Sequence, residues 1–169
     1  GLSRGSRGAA AAVVIASNLP DLALLFSLQG TASYLQHHRD LSHSVLGAPL
    51  LALALAGALR LALRGSRFAG LLLAALAGVA GHVVMDLWTS YGTRLFSPFD
   101  RTFYAWDLVF IVDPLILALL AAAVLLARRK TLGPRGATVG LGLLGAYVGG
   151  RGVLHASAVD EAEARVPGP

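Results

Sequence analysis

The sequence predicts an all-α integral membrane protein, a bundle of four to five transmembrane helices with a polar site at one membrane face. The 169 residues are 56% hydrophobic and only 14% charged, whereas soluble domains carry about a quarter charged residues. Apolar stretches also recur at lengths near the roughly 20 residues needed to cross a bilayer. Finally, His and Asp residues gather at the ends of these stretches.

Five apolar segments are the predicted spans: 9–26, 45–63, 68–88, 108–127 and 137–155. The first is interrupted by NLPD, where Pro20 removes a backbone donor and breaks the helix. The fifth is the weakest, because it is rich in Gly and contains Arg151. Together they predict a single transmembrane helical domain over residues 1–155, followed by a polar C-terminal tail over residues 156–169.

The charge distribution predicts the orientation of these spans. Nine of the 14 Lys and Arg residues, and none of the nine acidic residues, lie in the connections on one side. Cytoplasmic loops are enriched in Lys and Arg, so that side is predicted to be cytoplasmic. The polar site is then expected to face the extracytoplasmic side. The basic residues form no patch with interleaved aromatic residues, which argues against nucleic-acid binding.

The polar residues point to a metal site built without thiolates, because the chain contains no cysteine. His82 and Asp86 are four residues apart on a predicted helix, which places both on one face. An imidazole and a carboxylate suit zinc, with manganese or iron as alternatives. Taken alone, the same spacing also fits a hydrogen-bonded helix end.

A second polar cluster is HHRDLSHS, residues 37–44. Its three histidines and Arg39 lie just before the second span, where they fit either metal ligands or a hydrated interfacial loop. His38 and His43 are five residues apart, a spacing that metal ligands at a helix start can adopt, and His37 is an alternative to His38.

Three carboxylates occur in apolar surroundings. Asp21 follows the helix break at Pro20, which fits a functional group or a helix cap. Asp107 and Asp113 precede the fourth span, and an ionised carboxylate at membrane depth costs at least about 2.5 kcal/mol unless it is paired. A metal ion would compensate this charge, as would arginine partners, for which the sequence offers Arg39, Arg94 and Arg101.

NLPD, HHRDLSHS and GHVVMDLWTSYGTRLFSPFD with the following FIVDP resemble the bacterial YdjM-like family of predicted inner-membrane metal-dependent hydrolases. The resemblance covers roughly residues 10–120 and implies a helical membrane protein with a divalent metal centre. The order Asp, His-Arg-x-x-x-His, His-x-x-x-Asp is also similar to the ligand order of zinc-dependent phospholipase C, a helical enzyme that acts on phosphoesters. By that resemblance, one to three ions are held by Asp21, His38, His43, His82 and Asp86.

The chain departs from the family pattern in three ways. Ala23 stands where a second acidic residue is frequent, and Asp40 stands where glycine is usual. No Thr-His-containing helix precedes NLPD in this sequence, which bears on how many ions are held.

The leading hypothesis is a hydrolase acting on a phosphoester or other ester of a lipid or membrane-near substrate. Asp40, Asp107 or Asp113 would act as general base or support the ligands. Arg39, Arg94 or Arg101 would bind the phosphate. The alternatives are a small proton- or ion-coupled transporter and a non-catalytic adaptor with a structural metal. Small-residue helix faces fit packing within one chain or between copies, so the oligomeric state stays open.

Overall fold

The computed structural model describes residues 4–22, 39–129 and 131–165. Over these residues the fold is helical and contains no strand, apart from one isolated antiparallel bridge between Thr93 and Tyr104. The predicted all-α class is therefore confirmed. The helices are α1 (Arg4–Ala16), α2 (Gly47–Ala62), α3 (Phe68–Leu87), α4 (Pro114–Arg128) and α5 (Pro134–Arg165), with a 3-10 turn at Leu41–His43.

Two of these helices, α3 and α5, are long and apolar enough to cross a membrane. The helices α2 and α4 are apolar but shorter. Length and composition of this kind also occur in the core helices of soluble proteins, so the number of four to five spans stays a prediction. Three predicted spans are longer than their helices: α1 ends at Ala16 within 9–26, α2 covers 16 residues of 45–63, and α4 begins at Pro114 within 108–127.

The chain divides into two compact units, Gly1–Trp106 and Asp107–Pro169, and each is described here by itself. The predicted organisation into one domain over residues 1–155 and a polar tail stays a prediction. Residues 156–165 of that tail continue helix α5.

In the first unit, α1 and α2 pack against α3 through small side chains. The main cluster of buried residues comprises Ala16, Ala52, Ala75, Val79 and Val83. At Gly78 a Cβ atom would lie 2.6 Å from the carbonyl oxygen of Val13 and 2.9 Å from the Cβ of Ala16. Glycine at this position therefore permits the close approach that brings the end of α1 beside the C-terminal half of α3.

Helix α1 ends at Ala16, before the NLPD sequence that was predicted to break it. Proline at position 20 has no N–H to donate to the helix, and the chain turns through a short 3-10 segment at residues 20–22. The Asn18 side-chain amide donates to the carbonyl of Val14 at 2.8 Å. The break leaves carbonyl groups of the last turn available to other donors.

The segment that links α3 to the second unit folds back on the residues before α2. The backbone N–H of Arg94 donates to the carbonyl of Arg39 at 3.0 Å, and that of Val45 donates to the carbonyl of Leu95 at 2.9 Å. Thr93 is fully buried. These bonds fix the backbone on either side of the 3-10 turn that carries His43.

In the second unit, α4 packs on α5, and Gly140 permits a close approach to Ala123. Asp113 caps the N-terminus of α4: its Oδ1 accepts hydrogen bonds from the N–H groups of Leu115 at 2.9 Å and Ile116 at 3.1 Å. The Tyr147 hydroxyl donates to Asp113 Oδ2 at 2.7 Å. Both carboxylate oxygens are therefore satisfied by structural partners.

Candidate metal centre

Four side chains from three parts of the first unit place their donor atoms together. Nε2 of His43 lies 3.2 Å from Nε2 of His82 and 3.2 Å from Oδ2 of Asp86. Nε2 of His82 lies 3.5 Å from the same carboxylate oxygen. Oδ1 of Asp21 lies 3.6 Å from each of the two imidazole nitrogens. All four residues were predicted ligands.

The separations among Asp21, His43 and His82 fit three ligand atoms of a single metal ion, and Oδ2 of Asp86 lies equally close to both imidazoles. Zinc binds imidazole nitrogen and carboxylate oxygen at about 2.0–2.2 Å in a tetrahedron, which sets neighbouring ligand atoms about 3.3–3.6 Å apart. The five contacts that involve an imidazole Nε2 atom run from 3.2 to 3.6 Å. The donor set is nitrogen and oxygen only, as zinc, manganese and iron accept.

The imidazole of His82 is oriented by the broken helix α1. Its Nδ1 lies 2.8 Å from the carbonyl oxygen of Ser17. A carbonyl oxygen can only accept, so we infer that Nδ1 carries the proton. In the neutral ring, Nε2 then carries a lone pair and faces the other three candidate ligand atoms. This is the arrangement seen in metal-binding histidines.

The imidazole of His43 is fully buried. Its Nδ1 lies 2.9 Å from the hydroxyl oxygen of Ser42, a group that can donate or accept. The Nε2 atoms of His43 and His82 face each other, so they either share a proton or both present lone pairs to one cation. The short contact between two basic nitrogens is therefore explained equally by a hydrogen bond or by a bound ion.

The two carboxylate oxygens of Asp86 face different partners, Arg39 and the two imidazoles. Oδ1 forms an ion pair with the guanidinium of Arg39 at 2.9 Å. Oδ2 is buried and makes no hydrogen bond of good geometry with the described residues, although it faces both imidazoles. Because buried polar atoms are nearly always satisfied, a carboxylate oxygen in this state fits a metal ligand.

Arg39 holds Asp86 in place. Its guanidinium is buried and donates to the hydroxyl of Thr89 and to the carbonyl of Gly92, both at 3.2 Å, in addition to the ion pair. It also lies 5.6 Å from the centre of the Tyr91 ring. Its backbone φ of 57° is the left-handed conformation. The predicted role in phosphate binding stays a prediction, since the observed contacts orient a ligand.

Asp40 and Arg94 form a second polar group beside the turn that carries His43. The hydroxyl of Ser97 donates a short hydrogen bond to Oδ1 of Asp40. Nη1 of Arg94 lies 3.7 Å from Oδ2 of Asp40, and the guanidinium stacks 4.6 Å from the centre of the Phe103 ring. The contacts leave Asp40 partly exposed, and its predicted role as general base stays a prediction.

Arg101 is exposed in the segment after α3. Its neighbour Asp100 is tied locally: Thr102 donates to Oδ1 through its N–H at 2.8 Å and its hydroxyl at 2.7 Å, and Tyr104 donates its hydroxyl to Oδ2 at 2.7 Å. The hydrogen bonds from Thr102, followed by that from Tyr104, lower the pKa of Asp100. Hydrogen bonds among residues 100–104 therefore fix the conformation of this segment.

The structure thus brings Asp21, His43, His82 and Asp86 together, and their role as ligands stays a prediction. His38 lies outside the described residues. Of the candidate carboxylates in the second unit, Asp113 caps α4, and Asp107 is exposed with a φ of 52°. Neither has contacts in that unit that indicate a catalytic role.

Three supporting groups were not predicted as such. The Ser17 carbonyl and Gly92 act through their backbones, and Ser97 reaches Asp40 across 57 residues of sequence. The Ser17 carbonyl had a signal in the sequence, since a proline three residues later leaves the last carbonyls of a helix without helical donors. The other two had none, because their contacts depend on tertiary folding.

The fold and this cluster define an all-helical protein with a candidate metal centre of histidine and aspartate ligands. The chain belongs to the YdjM inner membrane protein family, whose model matches residues 2–158. Membership supports the predicted membrane class and inner-membrane location.

One curated relative is Uncharacterized protein YfhP of Bacillus subtilis (strain 168), which is 30% identical over 105 residues. The match covers 62% of this chain and 32% of YfhP, so the chain matches about a third of that relative's length. No solved structure matches this chain.

Proposed function

We propose that the protein is a membrane-embedded metal-dependent hydrolase that acts on a phosphoester of a lipid or membrane-near substrate. The observation that carries the proposal is the set of five donor-atom distances among Asp21, His43, His82 and Asp86, all from 3.2 to 3.6 Å. Asp21, His43 and His82, which are far apart in sequence, have the spacing of ligands to one ion, and Asp86 contacts both imidazoles.

Zinc is the proposed metal, with manganese or iron as alternatives and one to three ions in all. A divalent cation held there would supply a Lewis acid for the phosphoryl oxygen and a lowered pKa for a water molecule. The ring of His82 is held for this task by the Ser17 carbonyl, and the carboxylate of Asp86 by Arg39. Such supporting partners typically change metal affinity 10–100-fold, on the order of 1.4–2.8 kcal/mol.

In the proposed reaction the oxygen of water bonds to phosphorus and the ester P–O bond breaks. One water proton passes to the departing alcohol. Asp40 is the proposed proton carrier, because it is partly exposed and neighbours the residues that orient the ligands. Asp21 is the most accessible ligand, with 54% of its side chain exposed, and it marks the side from which a substrate approaches.

The protein is proposed to span the inner membrane several times, with four to five spans and the site on the extracytoplasmic side. The supports are the family, the two helices long enough to cross, and the concentration of Lys and Arg in loops on one side. A membrane lipid would then present its head group at the depth of the cluster.

The test measures hydrolysis by the purified protein in detergent. The substrates are bis(p-nitrophenyl) phosphate and phosphatidylcholine, each with added zinc or manganese. We expect turnover that is lost in Asp86→Asn and retained in His155→Ala, which removes an exposed imidazole on α5. A protein that binds metal but cleaves neither substrate would be an adaptor with a structural ion. Metal- or proton-coupled flux in liposomes without hydrolysis would identify a transporter. Either result overturns the proposal.

A further inference from the structure

An apolar groove of about 290 Å³ lies between α2 and α3 in the first unit. Its volume is near the lower end of the range for small-molecule sites, about 300–1,000 Å³. Its walls include Ala48 from α2, Leu76, Ala80 and Val84 from α3, and Leu95 from the segment after α3. Aliphatic side chains make up nearly all of the lining.

The one hydroxyl in the lining, that of Ser44, already forms two hydrogen bonds within the protein. It donates to the carbonyl of Leu41 at 2.9 Å and accepts from the N–H of Gly47 at 2.9 Å. The groove therefore offers no free hydrogen-bonding side chain and suits a saturated hydrocarbon.

Three residues that line the groove, Ser44, Val83 and Leu87, directly follow residues of the candidate metal centre in the sequence. Val83 follows the predicted ligand His82, and Leu87 follows the predicted ligand Asp86. Because Val83 and Leu87 are themselves one helical turn apart, the apolar row runs beside the row of ligands. A molecule in the groove would therefore have one end next to the helical turn that carries His82 and Asp86.

The length of the groove matches one layer of a bilayer. Lining residues on α3 extend from Leu76 to Leu87, which at the rise of an α-helix is about 16 Å. Half of a hydrocarbon core of about 30 Å is roughly 15 Å. The polar end of this path, at Asp86, would coincide with the head-group level.

We propose that the groove holds one acyl chain of a membrane lipid whose phosphate group lies at the metal centre. The inference deepens the proposed function and rests on it for the identity of the polar end. An anionic phosphate complements a bound cation, and the lining of the groove is complementary to a hydrocarbon chain. An amphiphile with both parts fits this surface, whereas a soluble phosphate would leave the groove empty.

The test is photo-crosslinking with a lysophosphatidylcholine that carries a diazirine in its acyl chain, using the full chain in phosphatidylcholine vesicles. We expect adducts on residues 76–87 or 44–49, displaced by unlabelled lysophosphatidylcholine. Ala80→Phe, which fills the groove, should reduce labelling at least about fivefold. The matched control is Leu73→Phe, on the same helix but 68% exposed and outside the groove, and it should label as wild type.

A second variant, Ala48→Leu, narrows the groove from α2 and guards against misfolding of Ala80→Phe. Circular dichroism and metal content report that each variant is folded. Equal labelling of both groove variants and the control overturns the proposal, as do adducts confined to other segments. A further experiment places a photoreactive residue at Val84. If it crosslinks to a second copy of the chain, or to another part of the same chain, and not to lipid, the proposal is also overturned.

Labelling requires neither metal nor turnover, so the two proposals fail separately. If the protein hydrolyses no phosphodiester but the groove is labelled selectively, the hydrolase proposal falls and the acyl-chain site stands. If turnover depends on Asp86 but labelling is unchanged in Ala80→Phe, only the acyl-chain proposal is refuted.

Discussion

Replacing His82 with alanine tests the metal centre most directly. The substitution removes Nε2, which takes part in three of the five short donor contacts, those with His43, Asp21 and Asp86. It also leaves the Ser17 carbonyl without its donor. Loss of a supporting partner costs up to about 100-fold in metal affinity, so loss of a ligand should cost at least that much, about 2.7 kcal/mol.

This loss translates into a measurable change in occupancy. At a zinc concentration about 100 times the wild-type Kd, the wild-type site is nearly full. A 100-fold weaker site in His82→Ala is then about half occupied. After dialysis against metal-free buffer, the variant should retain almost no zinc while wild type keeps at least one ion. Inductively coupled plasma mass spectrometry of the dialysed proteins measures the content.

The matched control is His155→Ala, which removes an exposed imidazole from α5 in the second unit. It should bind zinc as wild type does, and circular dichroism should show that both variants keep their helices. If His82→Ala and His155→Ala retain the same amount of metal, the four side chains do not form a metal centre.

Three further predictions follow from the contacts. Arg39→Lys keeps the positive charge but loses the planar guanidinium that reaches Asp86. The affinity for zinc, measured by isothermal titration calorimetry, should therefore fall about 10-fold or more. An unchanged affinity would show that Arg39 does not orient Asp86. Gly78→Ala places a methyl group against the backbone of α1 and should destabilise the protein by about 1–3 kcal/mol in thermal unfolding, whereas Gly81→Ala meets open space and should be neutral or slightly stabilising. Asp113→Ala removes the cap of α4 and should cost about 0.5–2 kcal/mol of stability without changing zinc content, and a loss of zinc would contradict the capping role.

The burial of charge in this protein is explained by mutual compensation within the first unit. Asp86 would be costly to bury alone, but Arg39 pairs with one of its oxygens and the imidazoles face the other. An apolar protein can therefore carry ionisable groups at a helix end when their partners arrive from several segments. The same convergence distinguishes a binding site from isolated helix caps such as Asp113.

Much of the helical fold was predictable because its signals are local. Each described α-helix overlaps a predicted apolar span, but the bounds differ. Helix α1 ends at Ala16, well before the end of the predicted span 9–26, because the chain breaks ahead of Pro20. Helix α4 begins only at Pro114, because Asp113 caps it, and α5 extends ten residues beyond the predicted span. The spacing of His82 and Asp86 placed both on one helix face, since four residues make about one helical turn.

The sequence by itself determined the helical class, the helix break and the donor types available to a metal, because each follows from residue chemistry and local periodicity. Only the tertiary structure decided that Asp21 and His43 meet His82 and Asp86, and that Arg39 contacts a ligand. The physical reason is that these contacts depend on how closely the helices approach. Gly78 sets that distance through a packing contact that no local pattern encodes.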